Sequence, residues 1–235
     1  SLLDEQATKA AMLKAMSELI AKASKGDTLV ITFSGHGTYQ PDTDGDEVDG
    51  LDEALCPYDL QTNGEALTDD EIRNLFLTRK AGVRIVLISD SCHSGTVTRA
   101  AKAEKDADSR PRFMPMGNWL PDKLLPRNRA GKVAATMTGP AGTTPFFGAY
   151  SNKLGDLLLS GCKEGPNNFS YDARIKGRFN GAFTYYALKA LKSMKPGANY
   201  ADWHKAIAKY LPSASYPQSP QIVGSATARK GKIFE

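Results

Sequence analysis

The sequence is poor in the residues that staple or metallate small folds: 235 residues hold three cysteines, three histidines and two tryptophans. Cys56, Cys92 and Cys162 are too few and too scattered for a disulfide framework or a zinc site. Their scarcity points to a reducing compartment, read here as cytoplasmic. No apolar run approaches the ~18 residues that a membrane-spanning helix needs, so no membrane partner is expected. Residues 1–16 lack a basic start followed by an apolar stretch and do not read as a secretory signal.

What is there is ordinary globular composition, 41% hydrophobic and 24% charged. The length suits one sizeable core rather than two. The net charge of +4 is unevenly spread. Residues 40–72 hold twelve Asp and Glu and no Lys or Arg, whereas residues 99–132 hold nine Lys and Arg against four Asp and Glu. The basic excess belongs to that one stretch, which lacks aromatic residues interleaved at stacking spacing, so no nucleic acid is expected as a partner.

Apolar residues at helical spacing predict a helix over residues 5–24. Thr28–Phe33 and Arg84–Ser89 are short continuous apolar runs, the pattern of parallel strands buried on both faces. Each opens into a loop, Ser34-Gly35-His36-Gly37 and Asp90-Ser91-Cys92-His93. Thr68 to Glu71 matches a capping box ahead of a helix carrying Ile72, Leu75 and Phe76. The acidic stretch 40–66 reads as turn-rich loop. From 99 to about 150, prolines and basic residues remove all periodicity. Asp156–Ser160 is a third buried strand, Gly181–Met194 and Tyr200–Leu211 are helices, and Pro220–Val223 is a last strand. Strands alternating with helices mean an α/β sandwich with a mostly parallel central sheet flanked by helices.

The chemistry lies at two strand ends, where open α/β sheets bind ligands. A thiol is a weak nucleophile until a base takes its proton. If the two strands are neighbours, His36 is placed to do this for Cys92. The amides of Gly37 and Cys92 are then candidates for an oxyanion hole. His93 follows Cys92, but neighbours on extended backbone point apart. His204, after Trp203 on a helix, reads as a packing residue. Cys56 and Cys162 read as small buried hydrophobes. The run from Asp42 to Asp52 is not an EF-hand, because Glu47 stands where that loop requires Gly.

These strings, with Asp44 to Glu53, Asp69-Asp70-Glu71 and Asp90 to Gly95, resemble the core of a metacaspase, a caspase-like cysteine endopeptidase. Ser160-Gly161-Cys162-Lys163, Ser170-Tyr171-Asp172, Gly181 to Tyr185 and Pro217 to Gln221 resemble that family's small-subunit region. The resemblance implies one caspase-like three-layer domain. Residues 1–98 would be large-subunit-like, 99–153 a basic linker or insertion, and 154–235 small-subunit-like.

It also implies roles. Cys92 would be the nucleophile and His36 the general base and acid, acting on protein or peptide substrates after Arg or Lys. A buried carboxylate selects such a cation. Asp90 is the first candidate for that pocket, with Ser34 beside it and Asp172 lending charge. The chemistry needs no cofactor. Many family members bind calcium, and Asp52, Glu53, Asp69 and Asp70 are the carboxylates available, although Arg99 stands near a position where the family has a carboxylate. The family normally begins with a strand, a helix and a further strand. Here these would be supplied by a separate N-terminal fragment or subunit, or be cut away, or the fold would be incomplete. The alternative function is a catalytically silent caspase-like binding or scaffold protein. The stretch 99–132 is expected to be exposed and weakly ordered, a linker that offers Arg110, Arg112, Arg127, Arg129 and Lys132 for self-cleavage.

Overall fold

A computed structural model describes residues 1–43, 45, 50–92, 108–125, 155–163 and 169–235. Along it come α1 (Lys9–Lys22), β1 (Thr28–Ser34), β2 (Gly37–Pro41), β3 (Leu51–Leu55), α2 (Leu60–Asn63), β4 (Leu67–Thr68), α3 (Asp69–Leu77), β5 (Arg84–Asp90) and β6 (Ser109–Pro111). Then follow β7 (Leu157–Ser160), β8 (Tyr171–Ile175), β9 (Arg178–Gly181), α4 (Ala182–Leu191), α5 (Tyr200–Ile207), β10 (Gln221–Gly224) and α6 (Ala226–Arg229).

The apolar runs become neighbours in one sheet of order β1-β5-β7-β10. β5 pairs in parallel with β1 and β7, and β10 is antiparallel to β7. Successive strand residues face opposite sides, so Ile85 and Leu87 pack with Ile20 of α1 and with Ile72 and Phe76 of α3. Val86 packs on the other face with Phe183 of α4 and with Trp203 and Ile207 of α5. The result is the expected three-layer α/β sandwich. Each such buried aliphatic contributes about 1.5–3 kcal/mol. The start of α3 is fixed as its sequence predicts. Thr68 Oγ1 accepts from the Glu71 amide at 3.2 Å, and a Glu71 carboxylate oxygen accepts from the Thr68 amide at 3.1 Å. Among the described residues, no helix is long and apolar enough to cross a membrane.

Two expectations are corrected. The acidic stretch 40–66 is not plain loop: β3 pairs antiparallel with β2 and β4, and all five of its residues are buried. The described part of the basic stretch, residues 108–125, is not exposed linker. It contains β6, which pairs with β8, and it buries Arg112, Phe113, Met116, Trp119 and Leu125. Periodicity fails to reveal this segment because Pro111, Pro115 and Pro121 interrupt it and its apolar residues pack on distant parts of the chain rather than along one helix face.

Candidate active site

In the β1–β5 register Ser34 lies opposite Asp90. The chain beyond each strand therefore emerges at the same edge of the sheet, and two residues further on come His36 and Cys92. The Gly37 and Cys92 amides both donate to one acceptor, the main-chain carbonyl oxygen of Arg112, at 3.0 and 3.2 Å. The nominated loops are thus side by side, with two N–H groups converging on one point.

His36 is half-buried, and its imidazole pKa is lowered, chiefly by burial. The Asp172 carboxylate pulls the other way, and the Arg112 guanidinium adds to the lowering. A neutral ring can accept a proton near neutral pH. Cys92 is fully buried. Its thiol lies against that of Cys162, whose own pKa is pushed up first by their hydrogen bond and then by burial. The sequence gives Cys162 only a packing role, and its place beside the candidate nucleophile is not legible from spacing. His93 lies outside the described residues.

The three acid-pocket candidates meet at the Arg112 guanidinium. Nε and Nη2 donate to one Asp172 oxygen at 3.0 and 2.7 Å. Nη1 donates to Ser34 Oγ at 2.7 Å and to the Asp90 carbonyl at 2.8 Å. The Asp90 carboxylate is 3.6 Å from Nη1. Toward this guanidinium Asp172 is the nearer of the two acids. Asp172 is the direct partner, and the Asp90 carboxylate is held by Ser170 Oγ and by the Thr184 amide and hydroxyl at 2.8 and 2.6 Å. Asp90 is 1% exposed, so accepting these donors is what makes a buried carboxylate tolerable there.

Ser170, Thr184 and Gly181 are pocket residues that sequence reasoning did not nominate. Their only signal was membership of the small-subunit strings. A Cβ at Gly181 would collide with the Asp90 carboxylate and stand 2.8 Å from the guanidinium, so only glycine leaves the pocket open.

The calcium candidates are split between β3 and the start of α3. Asp52 and Glu53 are adjacent on β3, where neighbouring side chains face opposite sides. Asp69 and Asp70 sit in the first turn of α3, and Asp70 pairs with Arg73 at 2.6 Å. Among the described residues, no three His, Cys, Asp or Glu side chains gather to hold a metal ion. Asp52 and Asp70 line one cavity, but the four carboxylates do not all gather there. Arg99 lies outside the described residues.

Of the self-cleavage candidates, Arg127, Arg129 and Lys132 also lie outside the described residues. Arg110 is exposed, with its guanidinium 5.3 Å from the centre of the Phe179 ring. Arg112 is 6% exposed, so the expectation of an exposed site is wrong for it.

A family model described as metacaspase, peptidase C14 domain, matches residues 1–101. Metacaspase-1A of Aspergillus niger is 31% identical over 92% of this chain and 56% of its own length. Metacaspase-1B of Aspergillus oryzae is 29% identical over 92% of this chain and 54% of its own. The chain thus spans about half the length of these curated relatives. The crystal structure of protein GSU0716 from Geobacter sulfurreducens is similar with a TM-score of 0.68 and 32% identity, covering 99% of this chain and 80% of that one.

Proposed function

This chain belongs to the metacaspase family and has its caspase-like fold, and we propose that it is a cysteine endopeptidase cutting protein or peptide chains after Arg or Lys. One observation supports this reading above the rest. The Gly37 and Cys92 amides meet at a single carbonyl whose own residue carries an arginine side chain into a cluster of Ser34, Asp90 and Asp172.

In this reading His36 takes the proton of the Cys92 thiol, and the sulfur attacks the carbonyl carbon of a bound substrate. The oxygen gains charge between the two amides. Removing one such donor typically costs about 2.7–4 kcal/mol of transition-state stabilisation. His36 then protonates the leaving amine, and water hydrolyses the thioester with His36 as base. Asp172, Ser34 and the Asp90 carbonyl would receive the guanidinium or ammonium of the residue before the cut. The reading includes self-processing within the basic stretch.

The test is hydrolysis of fluorogenic peptides ending in Arg, Lys or Asp, with and without added calcium. Cleavage of the Arg and Lys peptides, abolished by Cys92→Ala and by His36→Ala in folded protein, supports the proposal. A preference for Asp, or no cleavage by folded wild-type chain, sinks it.

A further inference from the structure

The segment around Arg112 lies in the cleft as a peptide would. Upstream, β6 runs antiparallel to β8, with Arg110 opposite Asp172 and Pro111 opposite Tyr171. The Arg112 amide donates to the Ser170 carbonyl at 2.8 Å. Downstream, the Met114 amide donates to the Gly37 carbonyl at 2.8 Å, and the Thr38 hydroxyl donates to the Met114 carbonyl at 2.7 Å. Backbone pairing on both sides of one carbonyl, two amides on its oxygen and its side chain in the selective pocket are the contacts by which a strand-adding peptide is held and read.

We infer that the Arg112–Phe113 bond is this chain's self-cleavage site, and that the segment closes the cleft to other substrates until that bond is cut. The inference rests on the peptidase reading above and adds the bond and its consequence. Among the candidate basic residues within the described part, Arg112 alone has its carbonyl between the Gly37 and Cys92 amides.

The steps balance within the chain. The Cys92 thiol gives its proton to His36 and its sulfur bonds to the Arg112 carbonyl carbon. The carbon–nitrogen bond to Phe113 breaks, and the nitrogen leaves as an amine carrying the proton from His36. Water then splits the thioester, leaving a carboxylate on Arg112 and a free thiol on Cys92.

The two sides of that bond are held unequally. Among the described residues, the upstream side is anchored by the three β6–β8 pairs, the Asp108–Arg174 ion pair, the Arg110–Phe179 contact and Arg112 itself. Downstream, Phe113, Met116, Trp119 and Leu125 are all buried. Phe113 stacks on Tyr39 at 5.5 Å, and the Trp119 indole donates to Thr38 Oγ1 at 3.0 Å. Cutting therefore frees the weaker arm, which fills the cation pocket and covers the β8 edge, while the stronger arm stays as a wall. An incoming substrate needs that pocket and that edge.

The experiment maps termini by mass spectrometry of the whole chain, beside Cys92→Ala, Arg112→Gln and Arg112→Lys. A new N-terminus at Phe113 is expected in wild type and in Arg112→Lys, and in neither of the others. Arg112→Gln loses the guanidinium that holds the segment in the pocket, so it is expected to hydrolyse an Arg fluorogenic peptide while uncut at this bond. Labelling of Cys92 by an arginine chloromethyl ketone should be faster by roughly tenfold or more in cut wild type than in wild type not yet cut, which corresponds to about 1.4 kcal/mol of lost self-occupancy. Wild type that hydrolyses the peptide while intact, or while cut only elsewhere, overturns the inference and leaves the peptidase reading standing. Folded wild type that cuts neither itself nor the peptide overturns both. The wild-type terminus map decides the bond even if Arg112→Gln fails to fold.

Discussion

Replacing Asp172 by Ala should cost Arg selectivity without costing nucleophile chemistry. The guanidinium of Arg112 reaches one Asp172 oxygen with two nitrogens, at 3.0 and 2.7 Å. A hydrogen bond to a charged group is worth about 1.5–3 kcal/mol. The Asp172 side chain is 31% exposed, so water screens the pair and the low end applies. That gives about 2–3 kcal/mol for both contacts, or roughly 30- to 150-fold in kcat/KM for a substrate arginine placed where Arg112 lies. The same change also loosens the self-contact, so the comparison belongs in an Arg112→Gln background, where that contact is already gone. The assay is kcat/KM on matched peptides ending in Arg and in a neutral residue, with alkylation of Cys92 by iodoacetamide as the control. Only the Arg peptide should suffer. If Asp172→Ala leaves the Arg preference within about threefold while Asp90→Asn removes it, Asp90 carries the selectivity and the ranking by distance is wrong.

Three further outcomes are expected. The His36 imidazole is held below its usual 6.5 by burial and by Arg112, so in the intact chain protonation should stop self-cleavage only on acidification through a pKa under that value. Removing the guanidinium and its cover should raise this pKa, so the ring titration followed by NMR should lie higher in Arg112→Gln than in Cys92→Ala; equal titrations would contradict the electrostatic account. Gly181→Ala should slow hydrolysis of Arg peptides by about tenfold or more, because overpacking of this kind costs about 1–3 kcal/mol; unchanged kinetics would show that the pocket can yield there. Phe76 is fully buried between α1, α3 and β5, so Phe76→Ala should lower unfolding stability by about 3–5 kcal/mol in a denaturant titration; a loss below about 1 kcal/mol would mean that the core collapses onto the gap.

Where burial wrote itself into composition, the fold was legible. β1, β5 and β7 are covered on both faces and therefore read as unbroken apolar runs. Thr68 and Glu71 announced α3 by local hydrogen bonding alone. β3 hid because Leu51-Asp52-Glu53-Ala54-Leu55 puts two carboxylates in a buried strand, and its pairing with β2 and β4 leaves no local pattern in the sequence. The segment 108–125 hid because prolines break it and Phe113, Met116 and Trp119 pack against residues far away in the sequence. The placing of His36, Gly37 and Cys92 at one sheet edge followed from strand ends. Arg112 could not be placed that way, because its partners Ser34, Asp90 and Asp172 come from three distant parts of the chain.

The burial of Trp119 makes the downstream wall optically visible. The sequence holds two tryptophans, and their surroundings differ in kind. Trp203 donates its indole N–H to the Ala187 carbonyl at 2.8 Å, inside the packing of α4 and α5, and should emit as a constant background. Trp119 belongs to the segment itself. If only the upstream arm leaves after cleavage, emission stays blue while catalysis switches on; departure of both arms wets the indole and moves the spectrum to the red. One fluorescence trace, recorded as the fragments form, therefore distinguishes a cleft that loses one flank from one that loses both.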